Sequence, residues 1–445
     1  MARAPAATDA AGEVELRRGF TIVDRNRWIE RYLATRAETE RLAAPLSDED
    51  QMLQAMADAS PVKWHRAHTT WFFETFVLLP SGAREHHPQY RYLFNSYYEA
   101  VGPRHPRPQR GLLSRPSARD IDAYRRAVDG RVVALLDAAD DDQRRRLAPT
   151  LALGIAHEEQ HQELILTDVL AALAANALEP VYVAAPAGEA APEGDLEPPE
   201  WVEHQGGLVH AGAKPESGFA FDNESPSHRV FLEPFALASR PIVNAEVLAF
   251  ARDGGYRRAS LWLSEGWDWV QRSGAAAPGY TEIDADAGAP TCFGLHGRRP
   301  ASLASPAAHL SYYEADAIAR WLGARLPTEI EWEHRAERLP VAGHFRDDGW
   351  LVPRAPGAAS ARSPNHGLFG DVWEWTSSAY GPYPGFAAGD GALGEYNGKF
   401  MVGQMVLRGG SCLSNRAHLR ATYRNFWPPA TRFQMSGARL ARDLR

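Results

Sequence analysis

Apolar positions recur at three- and four-residue spacing through the first part of the chain, from about residue 20 to 180. Segments such as "RNRWIERYLATRAETERLAAPL" and "ARDIDAYRRAVDGRVVALLDAAD" carry few glycines and read as amphipathic helices. "DDQRRRLAPTLALGIAHEEQHQELILTDVLAALAANAL" continues the pattern as one or two long helices, enough for an up-and-down bundle. The pattern then stops in "VAAPAGEAAPEGDLEPPE", whose Pro, Ala, Gly and acidic residues pack no core and predict a linker over 181–199. Beyond residue 200, glycines, prolines and tryptophans multiply and the periodicity breaks into short pieces, predicting a loop-rich α+β unit over 200–443. The chain is thus expected to be multidomain, α then α+β, with the helical unit spanning 18–180.

Composition narrows the classes. A length of 445 residues suits two or three domains, and 44% hydrophobic with 23% charged residues is ordinary for a globular protein. A formal charge of −8 argues against nucleic acid as a partner. Two cysteines, Cys292 and Cys412, exclude a disulfide framework and a four-thiolate metal site, and they fit a reducing cytoplasm. The first twenty residues lack the apolar core of a secretory signal, and no apolar run is long enough for a membrane span.

"GIAHEEQHQELILTDVL" places His157 and His161 four apart, and read with Glu158 it spells HExxH, the zinc-peptidase signature. Sixteen histidines in this length give roughly 0.6 such HxxxH pairs by chance, so the pair alone says little. On a helix, however, the two imidazoles share a face and can converge on one metal. Glu158 would point about 100° away from that face, and its replacement is expected to be tolerated. A further ligand should come from a facing helix, and "SPVKWHRAHTTWFFETFVLLP" offers His65 and His68 beside core aromatics. Three imidazoles without thiolate or carboxylate suit zinc or iron.

These stretches carry a resemblance. "SPVKWHRAHTTWFFETFVL" and "HEEQHQELILTD" resemble the iron-binding version of the DinB-like helical bundle, found in the sulfoxide synthases of ergothioneine biosynthesis, the EgtB family. "GGLVHAGA", "ARLPTEIEWEHRAE", "GLFGDVWEWTSSAY" and "VLRGGSC" are similar to the formylglycine-generating-enzyme (sulfatase-modifying factor) unit, which is C-type-lectin-like. The resemblance runs in order over about residues 20 to 443.

It implies an Fe(II) enzyme with His68, His157 and His161 as metal ligands. Its reaction would join cysteine to C2 of the imidazole of hercynine (Nα-trimethylhistidine) with O2, giving a sulfoxide. The substrates would be small molecules, with no obligate protein partner, and the HExxH match would be coincidental. Formylglycine-generating activity needs two nearby cysteines, and Cys412 has none close in sequence, so the second unit reads as a substrate-binding scaffold. Trp373, Trp375 and Arg408 belong to that fold generally and read as structural. The proton donor is expected to be one of the adjacent Tyr97 and Tyr98 in the connection 89–116, with Tyr396 in "GEYNGKF" as the fallback. Arg107 and Arg110 of the same connection suit the carboxylate of the thiol substrate. Gln160 and Asn425 are expected to hydrogen-bond hercynine, with Phe426 and Trp427 offering aromatic faces to its trimethylammonium. The branch that takes γ-glutamylcysteine carries an acid where this chain has Trp427, which favours free cysteine. The alternatives are a sister enzyme acting at histidine C5 or with a selenium donor, and a zinc-dependent thiol-binding bundle.

Overall fold

The computed structural model describes residues 24–186, 198–284, 289–355, 367–389 and 392–444. Its first half holds helices α1 (Arg25–Ala43), α2 (Val62–Phe73), the short α3 (Tyr90–Phe94), α4 (Ala118–Ala138) and α5 (Asp141–Ala174). Side chains set where they start. Asp24 accepts the Asn26 and Arg27 amides at α1, while Ser117 with Asp120 and Asp140 with Gln143 form reciprocal capping boxes at α4 and α5. The long helices α1, α2, α4 and α5 pack as the expected bundle. The 34 residues of α5 make one continuous helix about 51 Å long at 1.5 Å per residue.

All twelve residues of α2 are buried, polar ones included, so this helix is surrounded on every side. It approaches α5 closely because Gly154 carries no side chain: a Cβ there would lie 2.5 Å from Phe73 Cε1. One π-helical turn, Glu74–Leu78, follows α2, and the buried Glu74 carboxylate accepts the Tyr124 hydroxyl at 2.6 Å.

The second half adds β1 (Trp201–His204), β2 (Gly207–Ala211), β3 (His228–Leu232), β4 (Phe235–Pro241), β5 (Thr281–Glu282), β6 (Thr291–Gly294), β7 (Gly297–Pro300), β8 (Gly343–His344), β9 (Phe369–Gly370), β10 (Trp373–Ala379), β11 (Met405–Arg408), β12 (Asn425–Trp427) and β13 (Ser436–Asp443). The main sheet has the order β1-β4-β13-β10-β11-β12, antiparallel except for β10 beside β13. The acids of "TEIEWE" and "VWEW" are its buried struts. Arg408 Nη2 meets Glu329 at 2.8 Å and Glu333 at 2.9 Å, Arg424 Nε meets Glu329 at 2.8 Å, and Glu374 is shared by Arg439 and Trp332, each at 2.8 Å. Each buried charge is compensated, as burial demands.

The two halves are joined by hydrogen bonds from α5. Glu163 is buried and accepts Trp373 Nε1 at 2.8 Å, Ser411 Oγ at 2.7 Å and Ser414 Oγ at 2.7 Å. Gln162 Oε1 accepts Arg346 Nη2 at 2.8 Å. Residues 187–197 of the expected linker lie outside the described residues. Its beginning is not a free spacer, because Tyr182 is buried: its hydroxyl donates to the Leu42 carbonyl at 2.6 Å and its amide to Leu295 at 3.1 Å. An aromatic ring at that position finds cover in both halves, which the composition of the stretch hides. No helix among the described residues is long and apolar enough to cross a membrane.

Removing the Glu163 carboxylate leaves three buried donors without an acceptor, at about 1–3 kcal/mol each. Glu163→Leu should therefore lower the denaturation midpoint and expose the junction to limited proteolysis. An unchanged midpoint would show that the two halves are held by something else.

Candidate active site

His68 on α2 meets His157 and His161 on α5, all buried, with one ring nitrogen from each lying within 4.8 Å of the others. His68 and His157 face each other through their Nε2 atoms at 3.1 Å. His68 Nδ1 donates to the Phe94 carbonyl at 2.6 Å, which leaves its Nε2 as a bare acceptor. Trp64 stacks on the His68 ring at 4.6 Å and 13°, and Trp71 also stacks on it, at 5.5 Å and 16°, so the ring is fixed. Burial, reinforced by His157, holds His68 well below the usual histidine range. Burial, against the opposing charge of Glu158, brings His157 down to about 3, and burial with the His157 and His68 rings lowers His161. All three are therefore neutral at physiological pH, the state in which imidazole ligates a metal.

The residues present fit a metal ion. With the His68 proton committed to Phe94, the facing Nε2 pair needs a proton or a cation between its members. His157 Nδ1 is buried without a hydrogen-bond partner, so a proton on Nε2 bridges the pair but strands a bare Nδ1, and a proton on Nδ1 is itself stranded with two lone pairs face to face; a cation between the Nε2 atoms relieves that opposition. His65 stands apart from the triad: both its nitrogens are engaged, one by His161 at 2.8 Å and one by Asp168 at 2.9 Å.

Glu158 does point away. It is buried among Arg36 Nη1 at 2.7 Å, Thr39 Oγ1 at 2.7 Å and Arg125 Nη2 at 3.0 Å. Burial pushes its pKa up, but Arg36 and then Arg125 outweigh this and hold it below the usual carboxylate range. It serves the bundle rather than the triad, so the peptidase arrangement is absent. Two guanidinium groups share it, with Asp129 and Glu40 as their other carboxylates, so its replacement bears on stability rather than on the triad.

The connection 89–116 folds over the triad as α3 and two short 3₁₀ turns, 99–101 and 107–112. Tyr98 is buried against Trp71, Phe72 and Phe76, and its hydroxyl lies 3.5 Å from that of Tyr97. Tyr97 also touches Tyr396, with ring centroids 6.1 Å apart, and Tyr396 stands edge-on to His157 at 5.6 Å. Burial raises the pKa of all three phenols, so each keeps its proton. The Tyr396 proton is committed to Gln160 Oε1, and Gln160 Nε2 in turn donates to Tyr423 at 2.6 Å.

Arg110 is 2% exposed, with its guanidinium 3.4 Å over the Trp64 ring. It donates to the Ser60 and Ser96 hydroxyls at 2.9 and 3.2 Å, and its Nε has no hydrogen-bond partner. Burial, with Arg107 and Arg104 adding repulsion, depresses its basicity. Arg107, by contrast, is exposed. On β12, Asn425 is half-buried and its side-chain oxygen accepts the Phe426 amide at 2.9 Å. Phe426 stacks on Tyr380 at 3.9 Å, and Trp427 packs on Phe433 with its buried Nε1 unpartnered.

Sequence reasoning missed Tyr423, His418 and Asp168. His418 bridges Glu159 at 3.1 Å and Tyr423 at 3.2 Å, and no spacing signals it. Asp168 was detectable: seven residues past His161, it lies two turns along the same helix face.

Comparison with known proteins agrees with this geometry. Residues 31–165 match the DinB superfamily, and residues 186–350 and 361–444 match the sulfatase-modifying factor enzyme 1-like domain. The hercynine oxygenase of Mycolicibacterium thermoresistibile is 33% identical over 417 residues, covering 86% of this chain and 88% of that protein. The hercynine oxygenase of Mycolicibacterium smegmatis is 33% identical over 416 residues, covering 86% and 91%. This chain belongs to the hercynine oxygenase family. It is accordingly an enzyme, an oxygenase built from a DinB-like bundle and a formylglycine-generating-enzyme-like domain. The formylglycine-generating enzyme of Streptomyces coelicolor, 30% identical over 252 residues, covers only 48% of this chain. The family's oxygenases, by contrast, match over 86% of this chain, and the DinB superfamily match spans all three histidines.

Glu158→Gln should lower stability by about 1–3 kcal/mol, since it removes one of the two carboxylates paired with each of Arg36 and Arg125 and leaves them Asp129 and Glu40. Metal content per folded molecule should stay at the wild-type level when assayed by elemental analysis. A variant of wild-type stability that has lost its metal would return Glu158 to the metal site.

Proposed function

We propose that this chain is an iron(II)-dependent sulfoxide synthase that joins cysteine to C2 of the hercynine imidazole. The overall conversion takes hercynine, cysteine and O2 to hercynylcysteine sulfoxide and water, with one oxygen atom ending on sulfur and the other in water. The observation that carries this reading is a convergence. Three neutral buried imidazoles, an uncommitted phenol pair and a buried arginine without a carboxylate meet in a chain matched across both halves by hercynine oxygenases. The two free cysteines suit a cytoplasmic setting.

An iron(II) ion held by His68, His157 and His161 would supply open positions for thiolate, substrate imidazole and O2, and the electron exchange with O2. The chain's own residues do the rest. Arg110, met only by hydroxyls and the Trp64 face, offers its charge to the cysteine carboxylate, with Arg107 three residues earlier adding to the local positive potential. Asn425 receives the carboxylate of hercynine, and Phe426 and Trp427 present aromatic faces to its trimethylammonium. Gln160 reaches the substrate by exchanging one of its two phenol partners. Of the three tyrosines, Tyr396 has already given its proton to Gln160 in a hydrogen bond. Tyr97 and Tyr98 have chiefly each other, at 3.5 Å, so this pair holds the proton that is free for oxygen as it is reduced. Burial of the three histidines, Tyr98, Tyr396 and Arg110 excludes water from them and strengthens their polar contacts.

Aerobic incubation of the Fe(II)-loaded protein with hercynine and either thiol, read by mass spectrometry, tests the reading. Cysteine should give the sulfoxide faster than γ-glutamylcysteine, because Trp427 stands where an acid would pair with the dipeptide's ammonium. Faster turnover of the dipeptide would reverse the thiol assignment, and no hercynine adduct with any thiol would overturn the function.

Phe at Tyr97 or at Tyr98, though not equally, should lower C–S product by roughly 10²–10⁴-fold. O2 consumption should continue, with cysteine leaving as its sulfinic acid. Product ratios at equal iron loading decide this. A wild-type ratio in both loop variants, with diversion in Tyr396→Phe, would move the proton donor to the second domain.

A further inference from the structure

We propose that Asp168 and His65 are positioning residues: they fix the His161 proton on Nδ1 and so aim its Nε2 lone pair at the metal, an inference that rests on the metal reading above. His65 Nε2 lies 2.9 Å from Asp168 Oδ2, and His65 Nδ1 lies 2.8 Å from His161 Nδ1. Asp168 Oδ2 already accepts the Ser60 amide and so is an acceptor toward His65 as well, which places the His65 proton on Nε2. Neutral His65 then has a bare Nδ1, and the contact with His161 is a hydrogen bond only if His161 Nδ1 is the donor. A neutral imidazole that donates from Nδ1 has its lone pair on Nε2. The direction of the whole series is therefore set at one end, by the acceptor oxygen of Asp168.

That end is anchored. Asp168 Oδ2 also accepts the Ser60 amide at 2.8 Å, and the Ser60 hydroxyl accepts Arg110 Nη1 at 2.9 Å. His65 and Asp168 are 2% and 6% exposed, so water does not compete for these bonds. The arrangement also explains why His65 is not a ligand although it lies one turn from His68: neither of its nitrogens is left for a metal. His68 receives the same tautomer from the Phe94 carbonyl, whereas His157 Nδ1 has no such partner. Two of the three Nε2 atoms are thus oriented by the protein before metal arrives, one by a backbone oxygen and one by an acid acting through a second imidazole. Partners of this kind are typically worth 10–100-fold in metal affinity.

The test uses the full chain and two readouts. Anaerobic Fe(II) affinity is measured by chelator competition for wild type, His65→Phe and His65→Gln. The Phe variant should bind about 10–100-fold more weakly, while Gln, whose side-chain oxygen accepts the same N–H, should recover most of the loss. Independently of either variant's folding, long-range ¹H–¹⁵N spectra of the metal-free wild type should show His161 protonated on Nδ1 and His65 on Nε2. His161 protonated on Nε2, or equal Fe(II) binding by all three proteins, would overturn the relay alone. So would Gln and Phe variants that are equally weak. A wild-type chain that takes up no Fe(II) would overturn the metal reading as well.

Discussion

Nearly two turns of α5 are enclosed, with Gln160 alone half-buried, and the site depends on that constraint. From His157 to Glu163, successive side chains leave the helix about 100° apart, and each direction meets a different surface. His157 and His161 face α2 and His68. Glu158 faces Arg36 and Arg125 inside the bundle. Glu159 and Gln160 reach His418, Tyr423 and Tyr396, and Glu163 takes Trp373, Ser411 and Ser414. A helix that carried only a metal face could sit at the edge of a bundle. This one must be enclosed by a second domain, because its remaining faces are polar and each needs a partner.

Enclosure also produces the electrostatics. Desolvation strips charge from the three imidazoles and keeps the nearby phenols protonated, while the buried carboxylates stay ionised where arginines meet them. Lone pairs and donatable protons are thereby kept in the same small volume, which water would otherwise level. Arg110 is the exception in this balance: a buried cation without an acid of its own, as expected of a group whose counter-charge arrives with the substrate.

Much of this could be read from the residues. The change from 3.6-residue periodicity to short glycine-rich pieces separates the two halves, and the HxxxH spacing marks the face that converges with His68. Spacing could not say which of His65 and His68 turns toward the cluster, since both lie on the same buried helix; hydrogen bonds to Asp168 and Phe94 settle their environments. Nor could it separate Arg107 from Arg110: three apart on a 3₁₀ turn they lie over one another, yet Arg107 is exposed and Arg110 is buried against Trp64. His418 and Tyr423 stayed invisible, as their partners are more than 250 residues away in sequence. Tyr182 shows the opposite error: proline- and alanine-rich neighbours masked a residue with a packed ring.

The central claim is that three imidazoles from two helices, and no carboxylate, make one metal centre with room for the thiol. X-ray absorption of the Fe(II)-loaded chain, before and after cysteine is added without oxygen, tests it most directly. The account predicts three imidazole scatterers in the starting protein and one new sulfur neighbour once cysteine is present. Fewer than three imidazoles, a carboxylate in their place, or a spectrum indifferent to cysteine would contradict it.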